Sequence, residues 1–553
     1  MPRNTSRAST ALCLSMMLAL NGAMPAFAAS PQDALPTATP IKHIVVIFGE
    51  NESFDHYFGT YPHATNPSGE PAFTAAPNTP SVNGFTPDLL NNNPNLNPAN
   101  NVTNGAGATN PFRLDRSQAH TASMNHAYSP EQAAFDNGKM DLFPKNTGAA
   151  GTGGTGVFNT KGLVMGYYDG NTVTALWNYA QHFAMSDNHF STNFGPSTDG
   201  AVNLISGQTN GAVGFAASNG SNPTNTINNI VADGQGGFTM FGDSDPHSDV
   251  CSSTSAPTTE MTSKNVGDLL NAKNISWGWF EGGFDLTATN ANGTTGCNRS
   301  TSSVTVGGAV KDYVPHHQPF QYYPSTRNPG HTRPLSVASI GTSADGGANH
   351  QYDTNDFVAA VQAGNLPSVS FLKAPAIQDA HPSNSDPLDE QTFVVNMINL
   401  LQQSPEWSST AVILAYDDSD GWYDHVQNVI NPSHSVQDAF NAAQTCVPLP
   451  GTPGALSTSL PGVNGQPVQG RCGYGPRQPL LVISPFAKAN FVDHTLTDQS
   501  SVLRFIEDNW LNGQRIGQGS FDAIAGTINS MFDFTQKPNA KLILNANTGL
   551  PKS

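Results

Sequence analysis

Two stretches of this sequence concentrate oxygen ligands: Gly49-Glu50-Asn51-Glu52-Ser53-Phe54-Asp55 and Asp417-Asp418-Ser419-Asp420-Gly421, each following an apolar run. Carboxylates and an amide gathered in this way suit a hard divalent cation, which takes oxygen ligands. A carboxylate after a strand is more often a turn or helix cap, and it is the coincidence of two such ends that favours one shared pocket. A calcium-loop pattern around Asp418 fails, because position one would be Tyr416 and position twelve Gln427. Asn51-Glu52-Ser53 is a formal glycosylation sequon, but a glycan there would block the pocket. A third stretch, Asp187–Thr198, is turn-rich and leads into an expected helix over Asp199–Ser206. A hydroxyl at such a helix start serves as an N-cap. It also serves as a nucleophile if a cation lowers its pKa, since the helix N-terminus stabilises the phosphate under attack.

These residues need a frame that brings strand ends together. Ile41–Phe48, Ile275–Phe280, Ser368–Leu372, Thr410–Tyr416 and Leu480–Ser484 are continuous, β-branched runs bounded by turn residues, the pattern of buried parallel strands. Helical periodicity lies between them, at Thr172–Phe183, Val266–Ala272, Asp356–Ala363, Asp389–Gln403 and Ser500–Trp510. The alternation predicts an α/β fold, doubly wound, with a mostly parallel central sheet flanked by helices. In such sheets the carboxyl ends of the strands face the binding crevice, which is where both acidic stretches fall. Asn-, Gly-, Pro-, Ser- and Thr-rich insertions near 64–113, 208–265, 285–350 and 430–475 interrupt a single catalytic domain expected over 40–540. Their length implies ordered excursions over the active face.

Only 12% of the 553 residues are charged and the net charge is −18. This argues against nucleic acid or an anionic membrane surface as the main partner, since both require dense Lys/Arg. Arg3 and Arg7, the apolar run Ala11–Leu20 and Ala26-Phe27-Ala28 read as a secretory signal peptide over 1–28. The run is too short to span a bilayer, which needs about 20 residues, so an exported protein without a membrane span is expected. The remaining cysteines, Cys251, Cys297, Cys446 and Cys472, are even in number, and in an oxidising compartment proximity favours Cys251–Cys297 and Cys446–Cys472.

Ile41–Gly59, Asp136–Asp141, Gly195–Gly207, His316–Tyr323, Ser385–Gln391 and Asp417–His425 together resemble the bacterial phosphoesterase family of secreted acid phosphatases and phosphocholine-type phospholipases C. The resemblance runs from about residue 40 to about residue 512. It implies an alkaline-phosphatase-like sheet with one divalent metal beside a hydroxyl nucleophile. By motif, Glu50 with Asn51 and Asp417 with Asp418 match the metal ligands, and Ser197 matches the nucleophile, itself in contact with the metal. His126, one of the His316/His317 pair and His381 look like the phosphate-contacting histidines, while Asp141, Asp187 and Lys139 sit in motifs near the site. The all-oxygen ligand set suits magnesium, calcium or manganese rather than zinc.

Phospholipase C members commonly follow their nucleophile with Pro-Asn-Arg and read Asp-Glu at the second ligand pair; here Ser197 precedes Thr198-Asp199-Gly200, and the pair is Asp417-Asp418. On that ground the resemblance points first to an acid phosphatase acting on phosphate monoesters through a phosphoserine, with a phospholipase C as the alternative. The small phosphorylated substrate or phospholipid headgroup would be met by metal and imidazolium, because Lys and Arg are few. A non-catalytic secreted binding protein of the same fold is disfavoured by the presence of every matched residue.

Overall fold

The computed structural model describes residues 31–96, 104–152, 154–232, 236–426 and 472–552. The apolar runs form β1 (His43–Gly49), β2 (Ala184–Ser186), β3 (Trp277–Glu281), β4 (Gln351–Asp353), β5 (Val369–Lys373), β6 (Thr410–Tyr416), β7 (Leu480–Ile483) and β8 (Phe491–Asp493). They join one eight-stranded sheet in the order β4-β3-β5-β1-β6-β7-β2-β8. Every residue of β1, β3, β5, β6 and β7 is buried. Both faces are therefore covered, which is why these strands read as unbroken apolar runs rather than alternating ones.

The cover consists of α1 (Thr174–His182), α2 (Ser197–Ser206), α3 (Val266–Ala272), α4 (Thr354–Gln362), α5 (Pro387–Gln403) and α6 (Gln499–Trp510). They fall into two packed groups, α2 with α3 and α6, and α5 with α1 and α4. Local sequence sets their starts. Asp353 and Asp356 form a capping box at α4, and Asp386 accepts from the Leu388 and Asp389 amides ahead of Pro387 at α5. Gly207 ends α2 at φ 63°, a left-handed turn that favours glycine.

The fold is the expected α/β architecture with a mostly parallel sheet, but some details differ. β7, read as a parallel strand, runs antiparallel to both β6 and β2. A buried strand is apolar in either direction, so composition carries no sign of polarity. β2, β4 and β8 have three residues each, too few to show a period. Helix α2 starts at Ser197, two residues before the expected Asp199, which places Ser197 inside its first turn. The described parts of the insertions are ordered, with small sheets such as 212–215 paired to 258–261 and the hairpin 300–303 with 308–311. The Cys251–Cys297 disulfide ties two of them together at a Cα separation of 5.2 Å. Cys446 of the second expected pair, the signal peptide and most of the 430–475 insertion lie outside the described residues. No helix among the described residues is long and apolar enough to cross a membrane.

Register is what builds the site. β1 and β6 pair in parallel from His43 with Thr410 to Gly49 with Tyr416, so Glu50 and Asp417 leave the sheet level with each other. β5 pairs Leu372 with Ile47, which sets Lys373 beside Phe48 at the same edge. Helix α2 then packs onto the end of β6. A Cβ on Gly200 would overlap the Asp417 carbonyl oxygen, the atom that also accepts from Gln499 Nε2 at 2.5 Å. Gly200→Ala is expected to force α2 away from β6, costing about 1–3 kcal/mol or more. The checks are a lowered melting temperature together with a fall in kcat for the folded fraction; a variant with unchanged melting and turnover would contradict the close packing.

Candidate active site

Glu50, Asn51, Ser197, Asp417 and Asp418 converge at the carboxyl edge of β1 and β6, each no more than 2% exposed. Ser197 Oγ donates to Asp418 Oδ2 at 2.9 Å and lies 3.3 Å from Glu50 Oε2 and 3.5 Å from Asn51 Oδ1. The inward atom of the Asn51 amide is 2.6 Å from Glu50 Oε2 and 3.1 Å from Asp417 Oδ1. With its oxygen inward that amide faces only acceptors, an arrangement a cation between them relieves; turned over, its NH2 donates to both. Oxygens bound about 2.1 Å from an octahedral cation stand about 3.0 Å apart, which is the spacing seen here. Burial and the neighbouring Asp417 push Glu50 well above the usual carboxylate range, and burial with Asp417 and Glu131 does the same to Asp418. Left to itself, the cluster resists carrying its full negative charge, so the residues present fit one hard divalent cation.

Backbone turns aim these groups. Asn51 has φ 62°, turning the chain after β1, and Ser53 caps the following turn of helix through the His56 amide. Asn51 is fully buried and Ser53 Oγ donates to the Tyr423 carbonyl, so the sequon is inaccessible to a glycan. Gly195, at φ 118°, turns the chain into α2 and donates its N–H to Glu131 Oε2 at 2.9 Å. Ser419 Oγ, just beyond Asp418, donates to the other oxygen of the same carboxylate at 2.8 Å. Asp243 accepts from the Thr198 amide and hydroxyl at 3.0 and 2.8 Å, closing the N-terminus of α2.

All four histidines reach this region. His126 and His381 have ring centroids 6.0 Å apart, and His316 and His317 4.6 Å. His317 is buried, with Nδ1 3.1 Å from Glu50 Oε1; burial, His316 and Lys373 hold it well below its usual pKa, so it is neutral. His316 stands nearer solvent, its side chain 28% exposed and 3.7 Å from Asp245. Burial opposes its charge, but Asp243 and Asp245 outweigh that and raise its pKa. His126 pairs with Asp420 at 3.0 Å; Asp418 and Asp420 overcome burial and hold it well above the usual value. Burial lowers His381 to about 4.

Other motif residues lie elsewhere. Lys139 pairs with Asp136 on the surface, and Asp187 accepts from the Asn83 amide and pairs with His494. Asp187 belongs to a neighbouring network in which buried Arg477 joins Asp55, Asp424 and the Asp187 carbonyl. The Asp141 carbonyl accepts from Asn104. Sequence reading missed Lys373, whose Nζ pairs with Asp417 Oδ2 at 2.9 Å and with Glu50 Oε1. A polar residue closing an apolar strand was its signal, the same one that marked Glu50. Glu131 and Asp243 carry no such local mark.

A buried serine at a helix N-terminus, opposite a carboxylate–amide cluster on the carboxyl edge of a mostly parallel sheet, is the candidate site, and the chain's likeness to known proteins makes it a hydrolase acting on phosphoric esters. Residues 41–511 match the Phosphoesterase family, and the chain belongs to it. It is 24% identical over 522 residues to phospholipase C A of Mycobacterium tuberculosis, covering 91% of this chain and 79% of that protein. It is 23% identical over 513 residues to the non-hemolytic phospholipase C of Pseudomonas aeruginosa, covering 90% of this chain and 58% of that one. Among solved structures, murine ectonucleotide pyrophosphatase/phosphodiesterase 5 aligns with 65% of this chain and 95% of its own, at 11% identity and a TM-score of 0.27.

Glu131 bridges the loops carrying Ser197 and Asp418 without touching either side chain, which makes it a positioning residue. Glu131→Ala is expected to lower kcat on the order of 10²-fold with little change in KM, the cost of a small misplacement of reacting groups. Glu131→Gln, able to accept from Gly195 and donate to Ser419, is expected to recover most of that loss. Equal defects in the two variants would assign the carboxylate a different part.

Proposed function

We propose that this protein is an exported phospholipase-C-type enzyme that cleaves phosphodiesters through Ser197. The observation carrying this reading is a cleft of 420 Å³ lined by Pro196, the residue before the serine, together with Met124, His126, Tyr128, Phe241 and Asp243. A monoester has one substituent on phosphorus and a diester has two, and the cleft offers room for the second. Aromatic rings of Tyr128 and Phe241, 5.8 Å apart, beside one carboxylate suit a cationic headgroup. The phospholipase C names of the relatives support the same choice. The acid phosphatase reading rested on Thr198 and Asp418; neither the relatives described above nor the cleft favours it.

A divalent cation held by Glu50, Asn51, Asp417 and Asp418 would lower the pKa of the Ser197 hydroxyl and offset phosphate charge. Ser197, at the start of α2, attacks phosphorus in line, and the phosphoserine is then released by water. His126 and His316, whose neighbouring carboxylates favour the imidazolium form, are placed to bind phosphate oxygens and give a proton to the leaving alkoxide. Neutral His317, tied to Glu50, orients that ligand instead.

Ser197→Ala is expected to abolish turnover while leaving fold and metal content in place; near-normal activity would remove the serine from the mechanism. Asp417→Ala is expected to lower the bound metal in elemental analysis, and unchanged stoichiometry would move the cation elsewhere. The substrate is tested by comparing a chromogenic phosphate monoester with its phosphocholine diester at pH 5 to 7, with and without chelator. Chelator-sensitive diester turnover is the expected result. Monoester turnover alone would restore the acid phosphatase, and turnover of neither would leave a binding protein.

A further inference from the structure

Two ligands of the proposed cation site turn their remaining oxygens toward a second place. Glu50 directs Oε2 at Ser197 and Oε1 at His317 Nδ1. Asp417 accepts from the Asn51 and Asp418 amides through Oδ1, at 3.3 and 2.8 Å, and presents Oδ2 on the other side. At this second place Glu50, His317 and Asp379, all buried, offer ligand atoms within 4.8 Å of one another. Two-cation phosphoryl-transfer sites set their ions about 3.5–4 Å apart between opposing ligands. Lys373 stands against this place: its Nζ contacts Glu50 Oε1, lies 2.9 Å from Asp417 Oδ2 and 3.4 Å from the Gly49 carbonyl, and its charge acts on both His317 and Asp379. Two of its N–H donors go to Asp417 Oδ2 and the Gly49 carbonyl, and Glu50 Oε1 meets the same ammonium as an ion pair. Its side chain is 1% exposed, so it is held among these oxygens away from solvent.

We propose that Lys373 is a built-in second cation, filling the place that Glu50, His317 and Asp379 would otherwise offer to a second metal ion, and so limits the centre to one. The inference rests on the metal reading of Glu50, Asn51, Asp417 and Asp418. Lys373 replaces the charge of a second ion but not its open coordination position, so it neutralises the ligands without binding substrate.

The test is Mn2+ stoichiometry by elemental analysis and electron paramagnetic resonance on folded full-length protein. Wild type is expected to hold one equivalent with the spectrum of an isolated ion. Lys373→Ala is expected to hold two, with a spin-coupled spectrum, and Lys373→Ala/His317→Ala to return to one. One equivalent or none in folded Lys373→Ala, or two in wild type, would overturn the inference while leaving the first site standing. No Mn2+ in wild type would overturn the underlying metal reading and this inference with it. If Lys373→Ala does not fold, His317→Ala alone decides: retention of one equivalent is expected, and its loss would make His317 a ligand of the resident ion and overturn the assignment.

Discussion

The level ending of β1 and β6 is the constraint from which the rest follows. A register that pairs Gly49 with Tyr416 delivers Glu50 and Asp417 to one buried spot, with Asp418 one residue on. Like charges about 4 Å apart repel by about 4 kcal/mol even at an effective dielectric of about 20. Burial removes the water that would relieve them. Positive charge is therefore a structural requirement here before it is a catalytic one. Lys373 from β5 supplies part of it, and the oxygen spacing around Asn51 and Ser197 fits a cation for the remainder.

Ser197 is held from the other side. Helix α2 meets β6 so closely that only glycine fits at 200, and it starts from a loop anchored by Glu131 and Asp243. The helix N-terminus faces the cluster, so its partial positive charge acts where a phosphate would sit. Around this core the four histidines divide by depth. His317 is buried beside Glu50, where burial disfavours its charged form, whereas nearby carboxylates favour the charged forms of His126 and His316.

Much of this arrangement was legible in the chain, and what escaped shares a cause. β1, β5 and β6 stand out because strands buried on both faces must be apolar throughout, and Glu50, Asn51, Asp417 and Asp418 stand out as the polar residues that end them. The direction of β7 was hidden because burial constrains composition and not polarity. Glu131 and Asp243 were hidden because each acts on a segment at least 40 residues away, Gly195 and Thr198 respectively, through hydrogen bonds that no local pattern encodes. Asp187 shows the converse: it opens the turn-rich stretch that leads to Ser197 yet serves the Arg477 network next door.

The amino-acid sequence by itself determined the class of fold, the strand ends that carry the acidic and amide side chains and membership of a phosphoric ester hydrolase family, because burial periodicity and long ordered motifs are properties of the chain. Only the tertiary structure decided that Ser197 opens α2 rather than preceding it, that the surroundings of His316 and His317 push their pKa values in opposite directions, and that Lys373 joins the cluster. These depend on strand register, on depth below the surface and on distances of about 3 Å between segments far apart in sequence, at which hydrogen bonds and ion pairs form.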